Sequence, residues 1–246
     1  MKTTLIIPDC HHPYVDPNAW GLLLRVAEEL KPDAVVVMGD FGDFVSVTSH
    51  SKSAQQRQVL LRDEIFSCNE ALADLDALKI ERKVFIAGNH EDRVDRYINE
   101  RCPEIHGVIG VNVAQALRLA DRGYQYVPYR DHINHDGVWY THDTGTAGIN
   151  AHRSSLQRYQ ATVVIGHTHR IGFEVKRTLQ GKPIVGFMPG WLGDAKACAG
   201  YAHTSATTTD WTLGFGVARL AGGTPSIEPV VISDNYTCCV GGKVYA

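Results

Sequence analysis

Ala34-Val35-Val36-Val37-Met38-Gly39-Asp40-Phe41-Gly42-Asp43 sets five apolar residues in front of a glycine and two carboxylates. An apolar run this short, dominated by β-branched residues, reads as a strand buried on both faces. The glycine lets the chain turn sharply out of the strand with no side chain in the way. The same grammar recurs along the chain. Thr3 to Ile7 runs into Pro8-Asp9-Cys10-His11-His12-Pro13, and Lys83 to Ala87 into Gly88-Asn89-His90-Glu91. Gly137 to Tyr140 leads to Thr141-His142-Asp143, and Thr162 to Ile165 to Gly166-His167-Thr168-His169. Five strands thus end in five polar clusters.

Helix signals lie between them. Asp16-Pro17 is an N-cap followed by a first-turn proline. Trp20, Leu23, Leu24, Ala27 and Leu30 then share one face, until Lys31-Pro32 stops the helix. Leu61, Ile65, Cys68, Leu72 and Leu75 mark a long amphipathic helix. A helix is expected from Glu91 towards Arg101 and another over Val111 to Ala120. Ser46 to Gln58 has no period and reads as an exposed excursion. After His169 the texture becomes strand-rich. Phe173–Arg177 and Pro183–Phe187 flank one hairpin turn, and Leu213–Leu220 and Ile227–Ile232 flank another. The pattern is that of an α/β fold with helices layered on sheet. It reads as a single domain over 1–246, with a motif core at 3–169 and a strand-rich part at 170–246 that completes a second sheet.

The 246 residues carry a net charge of −3, which argues against a strongly basic nucleic-acid footprint. With 44% hydrophobic and 21% charged residues, wholesale disorder is excluded. Six scattered cysteines without a CxxC pair indicate a reducing compartment, read as the cytoplasm. No apolar stretch approaches the ~20 residues of a membrane helix, and Pro8-Asp9 interrupts the first apolar run too early for a signal peptide. The outlier is 12 histidines against 3 methionines.

Open α/β sheets bind ligands beyond the carboxyl ends of their strands. If the five strands lie side by side, the five clusters meet. Carboxylate, imidazole and amide oxygen suit first-row divalent metals. In extended chain, i and i+2 point the same way, so Asp9 with His11, and His167 with His169, can serve common sites. Asp9, His11, Asp40, Asn89, His142, His167 and His169 are too many ligands for one ion and suit two that share Asp40. Two cations about 3.5–4 Å apart clamp a phosphoryl group, acidify a bound water or bridging hydroxide and stabilise an in-line displacement. His90 is then a candidate general acid, and Asp43 a candidate orienting carboxylate. Each cluster alone reads as a loop, a turn or a helix cap. Together they require five coincidences at five strand ends.

Asp-x-His, Gly-Asp-x-x-Asp, Gly-Asn-His-Glu, a lone His and Gly-His-x-His, in that order, resemble the calcineurin-like metallophosphoesterase superfamily. The run from Gly88 to Arg93, followed by Tyr97, looks like its stand-alone bacterial and phage members. The resemblance implies a four-layer α-β-β-α sandwich of two mixed β-sheets flanked by helices, with a dinuclear centre. Carried over by motif, Asp9, His11, Asp40 and His169 hold one metal. Asp40, Asn89, His142 and His167 hold the other. His90 takes the acid or phosphate-contacting role. Mn²⁺, Fe, Zn²⁺, Ni²⁺ and Co²⁺ all suit such a site.

The chain departs from relatives in two places. Protein phosphatases of this superfamily follow the Gly-Asp-x-Val-Asp motif with an arginine that grips a phosphomonoester; Phe44 stands there. That favours a monoanionic diester, hence a phosphodiesterase acting on a nucleotide or nucleic-acid-derived substrate. Arg93, Arg170, Arg130 and Arg153 are the cations left to supply charge. Small prokaryotic phosphodiesterases carry Asn-Pro-Gly-Ser on a later strand, where this chain has Met188-Pro189-Gly190-Trp191. Trp191 is a candidate stacking group, and Arg93 and Arg170 candidate substrate contacts. Cys10 faces away from the ligands and reads as structural, and the run from Asp131 to Asp136 as a polar hairpin loop. The alternatives are a small-molecule phosphomonoesterase, a DNA nuclease and a non-enzymatic scaffold of the kind found in the retromer.

Overall fold

The β-branched runs form strands and the 3–4-spaced runs form helices. In the computed structural model, which describes residues 1–105, 107–108, 112–198 and 210–246, β1 (Lys2–Ile7) is followed by α1 (Pro17–Leu30) and β2 (Ala34–Val37). Next come α2 (Leu61–Ala77), β3 (Arg82–Ile86), α3 (Asn89–Arg101), α4 (Val113–Ala116) and β4 (Tyr124–Val127). A second series is β5 (Ile133–His135), β6 (Val138–Thr141), α5 (Ala151–Tyr159), β7 (Val163–Ile165), β8 (Ile171–Arg177) and β9 (Pro183–Pro189). The chain ends with β10 (Gly214–Ala221), β11 (Thr224–Val231), β12 (Cys238–Val240) and β13 (Lys243–Tyr245).

Two mixed sheets result. The first has the order β11-β10-β1-β2-β3-β4, parallel from β1 to β4 and antiparallel at β10 and β11. The second has the order β5-β6-β7-β9-β8, parallel from β6 through β7 to β9 and antiparallel at both edges. Strand alternation builds the layers. Leu5, Ile7, Val35, Val37 and Phe85 pack with Leu22, Leu23 and Val26 of α1 and Leu72 and Leu75 of α2. Their alternates Ile6, Val36, Val84 and Ile86 meet Tyr140, Val164 and Phe187 of the second sheet. On its far face, Val163, Ile165 and Met188 pack with Ala151 of α5. This is the expected α-β-β-α sandwich. It explains why the central strands are apolar throughout: each face contributes its own side chains, at about 1.5–3 kcal/mol per fully buried large one.

Several expectations need correction. The five motif strands do not lie in one sheet. β1, β2 and β3 come from the first, β6 and β7 from the second, and the clusters meet because both sheets present their carboxyl ends at one edge of the sandwich. The strands after 170 do not all complete the second sheet, since β10 and β11 extend the first. The Asp131–Asp136 run does belong to a hairpin, but Ile133–His135 within it is the strand β5, paired with β6 around Asp136-Gly137, both at positive φ, as a I′ hairpin turn requires. The helix expected over Val111–Ala120 is the single turn α4, because Arg118 at φ 54° breaks it; Val111 lies outside the described residues. Helix α3 starts at Asn89, two residues before the expected Glu91, with Gly88 as its N-cap.

Candidate metal centre

The cluster after β1 is tied to the one after β2 by backbone. The Asp40 carbonyl accepts from Cys10 N (3.0 Å) and His11 N (2.9 Å), and the Phe41 carbonyl accepts from His12 N (2.8 Å). Glu91 fastens the third cluster. Its Oε2 accepts from the backbone N–H of Gly88 (2.7 Å) and Asp40 (2.8 Å), and its Oε1 from Gly42 (3.0 Å). Burial and the nearby Asp40 charge push its carboxyl up to about 7. Cys10 is buried in the helix-side core, as expected.

The expected reason for the Asp-x-His pairing does not hold. His11, Asp40, His167 and His169 all sit at positive φ (56°, 46°, 69° and 56°), so these ligand candidates leave the extended strand path before presenting their side chains. Such backbone costs on the order of 1–3 kcal/mol per residue and persists at sites that the surroundings over-determine.

The side chains converge in two groups that share one carboxylate. Asp9, His11, Asp40 and His169 each offer an atom within 4.8 Å of the others, and so do Asp40, His142 and His167. Asn89 joins the second group, its Oδ1 lying 3.1 Å from His142 Nε2. A third group, His11, Asp43 and His90, shares His11 with the first.

Supporting bonds aim the imidazoles. His142 Nδ1 donates to the Met38 carbonyl (2.8 Å), which turns Nε2 towards Asp40 Oδ2 at 3.3 Å. His11 Nδ1 lies 3.2 Å from Asp43 Oδ1, and its Nε2 faces His169 Nε2 at 2.9 Å. His90 Nδ1 donates to the Asp43 carbonyl (2.8 Å), while Arg93 Nη2 donates to His90 Nε2 (2.8 Å). That pairing sets the imidazole neutral with its proton on Nδ1.

Burial alone would raise these carboxyls. Bonds and charges from the histidines reverse it, so Asp40 sits well below the usual range and Asp9 and Asp43 below it too. Burial depresses His142, but Asp40 outweighs it and pushes the ring up to about 10. Burial takes His169 down to about 4. Charged carboxylates that pull a proton onto a buried imidazole mark concentrated negative potential, which a divalent cation neutralises. The residues fit such ions. The donor set is nitrogen and oxygen, and His167 Nδ1 is shielded from solvent without a hydrogen-bond partner among the described residues.

The family profile described as calcineurin-like phosphoesterase matches residues 2–171. The chain belongs to that family. Two curated relatives align almost end to end. The Gene 54 protein of Mycobacterium phage D29 is 24% identical over 251 residues, covering 94% of this chain and 94% of its own. Its counterpart in phage L5 is 23% identical over 249 residues, with 94% of each covered. Among solved structures, a single mutant of Vps29 from Entamoeba histolytica superposes with TM-score 0.48 at 13% identity, over 95% of this chain and 94% of that one. Yfce, a phosphoesterase from E. coli, gives TM-score 0.44 at 13% identity over 97% of each chain.

The substrate-side candidates of this calcineurin-like phosphoesterase fare unequally. Arg93 is buried, 6% exposed, and is part of the cluster through His90 and the Asp43 carbonyl. Arg170 is paired with both oxygens of Asp210 and does not join the cluster. Trp191 is 2% exposed, too buried to stack on a substrate; its ring lies flat on His169, with centroids 4.9 Å apart at 15°. Phe44 is fully buried in the helix-side core, so that position offers the site nothing. Two contributors had no readable signal. Trp211 is half-buried with its ring 4.4 Å from His169, on a segment without a motif. Glu64 fastens the chain after Phe44, its oxygens accepting from Val45 N (2.7 Å) and Ser46 N (3.1 Å).

Proposed function

We propose that this protein hydrolyses phosphoester bonds at a dinuclear metal centre, favouring phosphodiesters of nucleotide or nucleic-acid origin. The observation that carries the reading is Asp40, one carboxylate shared by two convergent donor groups. Asp9, His11, Asp40 and His169 would hold one divalent ion, and Asp40, Asn89, His142 and His167 the other. Such ions supply Lewis acidity, which acidifies water and offsets phosphoryl charge. The chain's own groups do the rest. Asp43 orients His11 and His90, the Met38 carbonyl fixes the His142 tautomer, and Trp191 backs His169. His90 serves as proton donor to the leaving oxygen. Its Nε2 must first exchange the Arg93 N–H for a proton, so Arg93 is proposed to swing onto a phosphoryl oxygen when substrate arrives. One mobile guanidinium, with Phe44 turned into the core, suits a monoanionic diester better than a dianionic monoester.

All seven ligand positions are filled, which disfavours a scaffold that has lost its chemistry. Unpaired thiols at all six cysteines suit a reducing compartment, the cytoplasm, and no described helix is long and apolar enough to cross a membrane. We take 1–246 as one domain. The test is hydrolysis of bis-p-nitrophenyl phosphate against p-nitrophenyl phosphate, with and without Mn²⁺, beside Asp40→Ala. Mn²⁺-dependent turnover of the diester, at least tenfold above the monoester and abolished in the variant, is expected. Preference for the monoester would make Arg93 a full substitute for the missing arginine and the protein a phosphatase.

A further inference from the structure

Beside the metal cluster lies a cleft of about 660 Å³ that no motif marks. Small-molecule sites typically span ~300–1,000 Å³. Three rings from three parts of the chain form its wall: His132 ahead of β5, Trp139 on β6 and Tyr159 at the end of α5. Their centroids stand 5.1, 5.7 and 6.1 Å apart. Two guanidiniums, Arg130 and Arg158, line the same space. Arg158 uses Nη1 on the Thr144 carbonyl and has no other side-chain hydrogen bond or ion pair among the described residues. Arg130 is exposed, its guanidinium 5.2 Å from the Tyr129 ring centre. The acid in the lining, Asp143, is already engaged: Oδ1 accepts from Gly145 N (2.6 Å) and Oδ2 from Tyr129 Oη (3.1 Å).

The chemistry of the wall selects its ligand. Rings set edge-on and tilted to one another offer aromatic surface that suits a planar heterocycle. A neutral sugar or an apolar ligand has no use for two guanidiniums, whereas a phosphate does. The cleft also touches the metal cluster. Asp143 follows His142 directly, and the Tyr129 ring that bonds Asp143 is 6.2 Å from the His142 ring. Trp139 packs with the α5-side cluster and lines the cleft together with Asp143, while His142, the metal-ligand candidate between them in sequence, faces Asp40.

We propose that this cleft binds a nucleoside monophosphate unit, base against Trp139 and Tyr159 and phosphate against Arg130 and Arg158. It thereby gives the neighbouring centre its selectivity for nucleotide diesters. The selectivity half rests on the phosphoesterase reading above; the binding half does not.

Full-length protein in chelator, where no metal can capture phosphate, is titrated with AMP, GMP, CMP and UMP, with adenosine and inorganic phosphate as comparators. At least one mononucleotide is expected to bind ten times more tightly than either comparator. Arg130→Ala, a surface change that leaves the fold alone, is expected to weaken that binding at least tenfold. Trp139→Leu should do the same wherever it folds. In Mn²⁺, Arg130→Ala should raise the KM for a linear dinucleotide at least fivefold. Four mononucleotides that bind no better than phosphate, or equal binding by Arg130→Ala, would overturn the proposal. Nucleotide binding without metal-dependent hydrolysis would leave the cleft standing and remove the phosphoesterase reading; hydrolysis without nucleotide binding would do the reverse.

Discussion

Gly88 has an ordinary φ of −91°, so backbone freedom is not what requires a glycine there. Space is: a Cβ at this position would stand 2.1 Å from Asp40 Oδ1 and 2.3 Å from Asp40 N, far inside contact distance. Gly166 is held in the same way, its Cβ falling 2.8 Å from Asp9 Oδ1. Gly39 combines both demands, with φ at +96° and a Cβ 2.6 Å from His142 Nδ1. The sequence reading placed these glycines correctly and explained them only as turns. Packing of one site loop against another is a contact between distant positions, which no local pattern reports. Gly88→Ala should therefore displace Asp40, and at the N-cap of α3, where alanine is disfavoured, it costs about 1 kcal/mol without removing the helix. Bound Mn²⁺ by elemental analysis is expected to fall at least tenfold and diester turnover at least a hundredfold, with the circular dichroism spectrum unchanged. Full metal content in the variant would show that Asp40 has room to move.

Helix α1 illustrates what an element inherits from sequence and what it does not. Its start was legible from Asp16-Pro17, and Asp16 Oδ1 accepts from the N–H of Asn18 (2.9 Å) and Ala19 (3.1 Å). Its other oxygen accepts from Tyr236 Oη at 2.8 Å, a partner 220 residues away that no local signal announces. Asp16→Ala removes the cap, worth about 0.5–2 kcal/mol, and the tie to the C-terminal segment with it. A loss at the top of that range is expected in urea unfolding, and Tyr236→Phe should recover only the smaller part. Equal losses in both variants would make the tie, not the cap, the dominant contribution. Where elements went unread, the cause is similar. In α5 only Ala151, His152, Ser155 and Leu156 are buried, too polar a face to register as amphipathic. β5 has one buried residue, His135, so alternation never had the length to show. The long apolar strands and the motif loops were legible because each carries its own signature; the edge elements borrow theirs from neighbours.

At the scale of the whole molecule, burial of histidine ties the fold to pH. His12 lies between Trp20 and Phe41, with ring centroids at 5.2 and 4.7 Å, and burial drives it down to about 3. Burial also lowers His135 and His152. Each takes up its proton at lower pH in the folded chain than in the unfolded chain, where it does so near pH 6.5. Stability from this source is therefore complete above about pH 6.5 and declines as pH falls below it, by up to about 1.4 kcal/mol per pH unit for each histidine still neutral. His142 and His11 behave oppositely. Their folded values are raised, so their contribution is complete below about pH 6.5 and is lost as pH rises, through about 10 for His142. Metal-free protein should accordingly be most stable near neutrality, with urea midpoints falling on both sides. Bound cations take the place of the His142 proton, so saturating Mn²⁺ should flatten the alkaline limb. His12, His135, His152 and the ligand candidate His169 all carry the acid limb without metal, and a cation that replaces the protons of His11 and His142 adds those two rings to it, so the limb between pH 6.5 and 5 should persist and steepen in Mn²⁺. An acid limb no steeper with metal, or an alkaline limb indifferent to it, would separate His142 from any cation site.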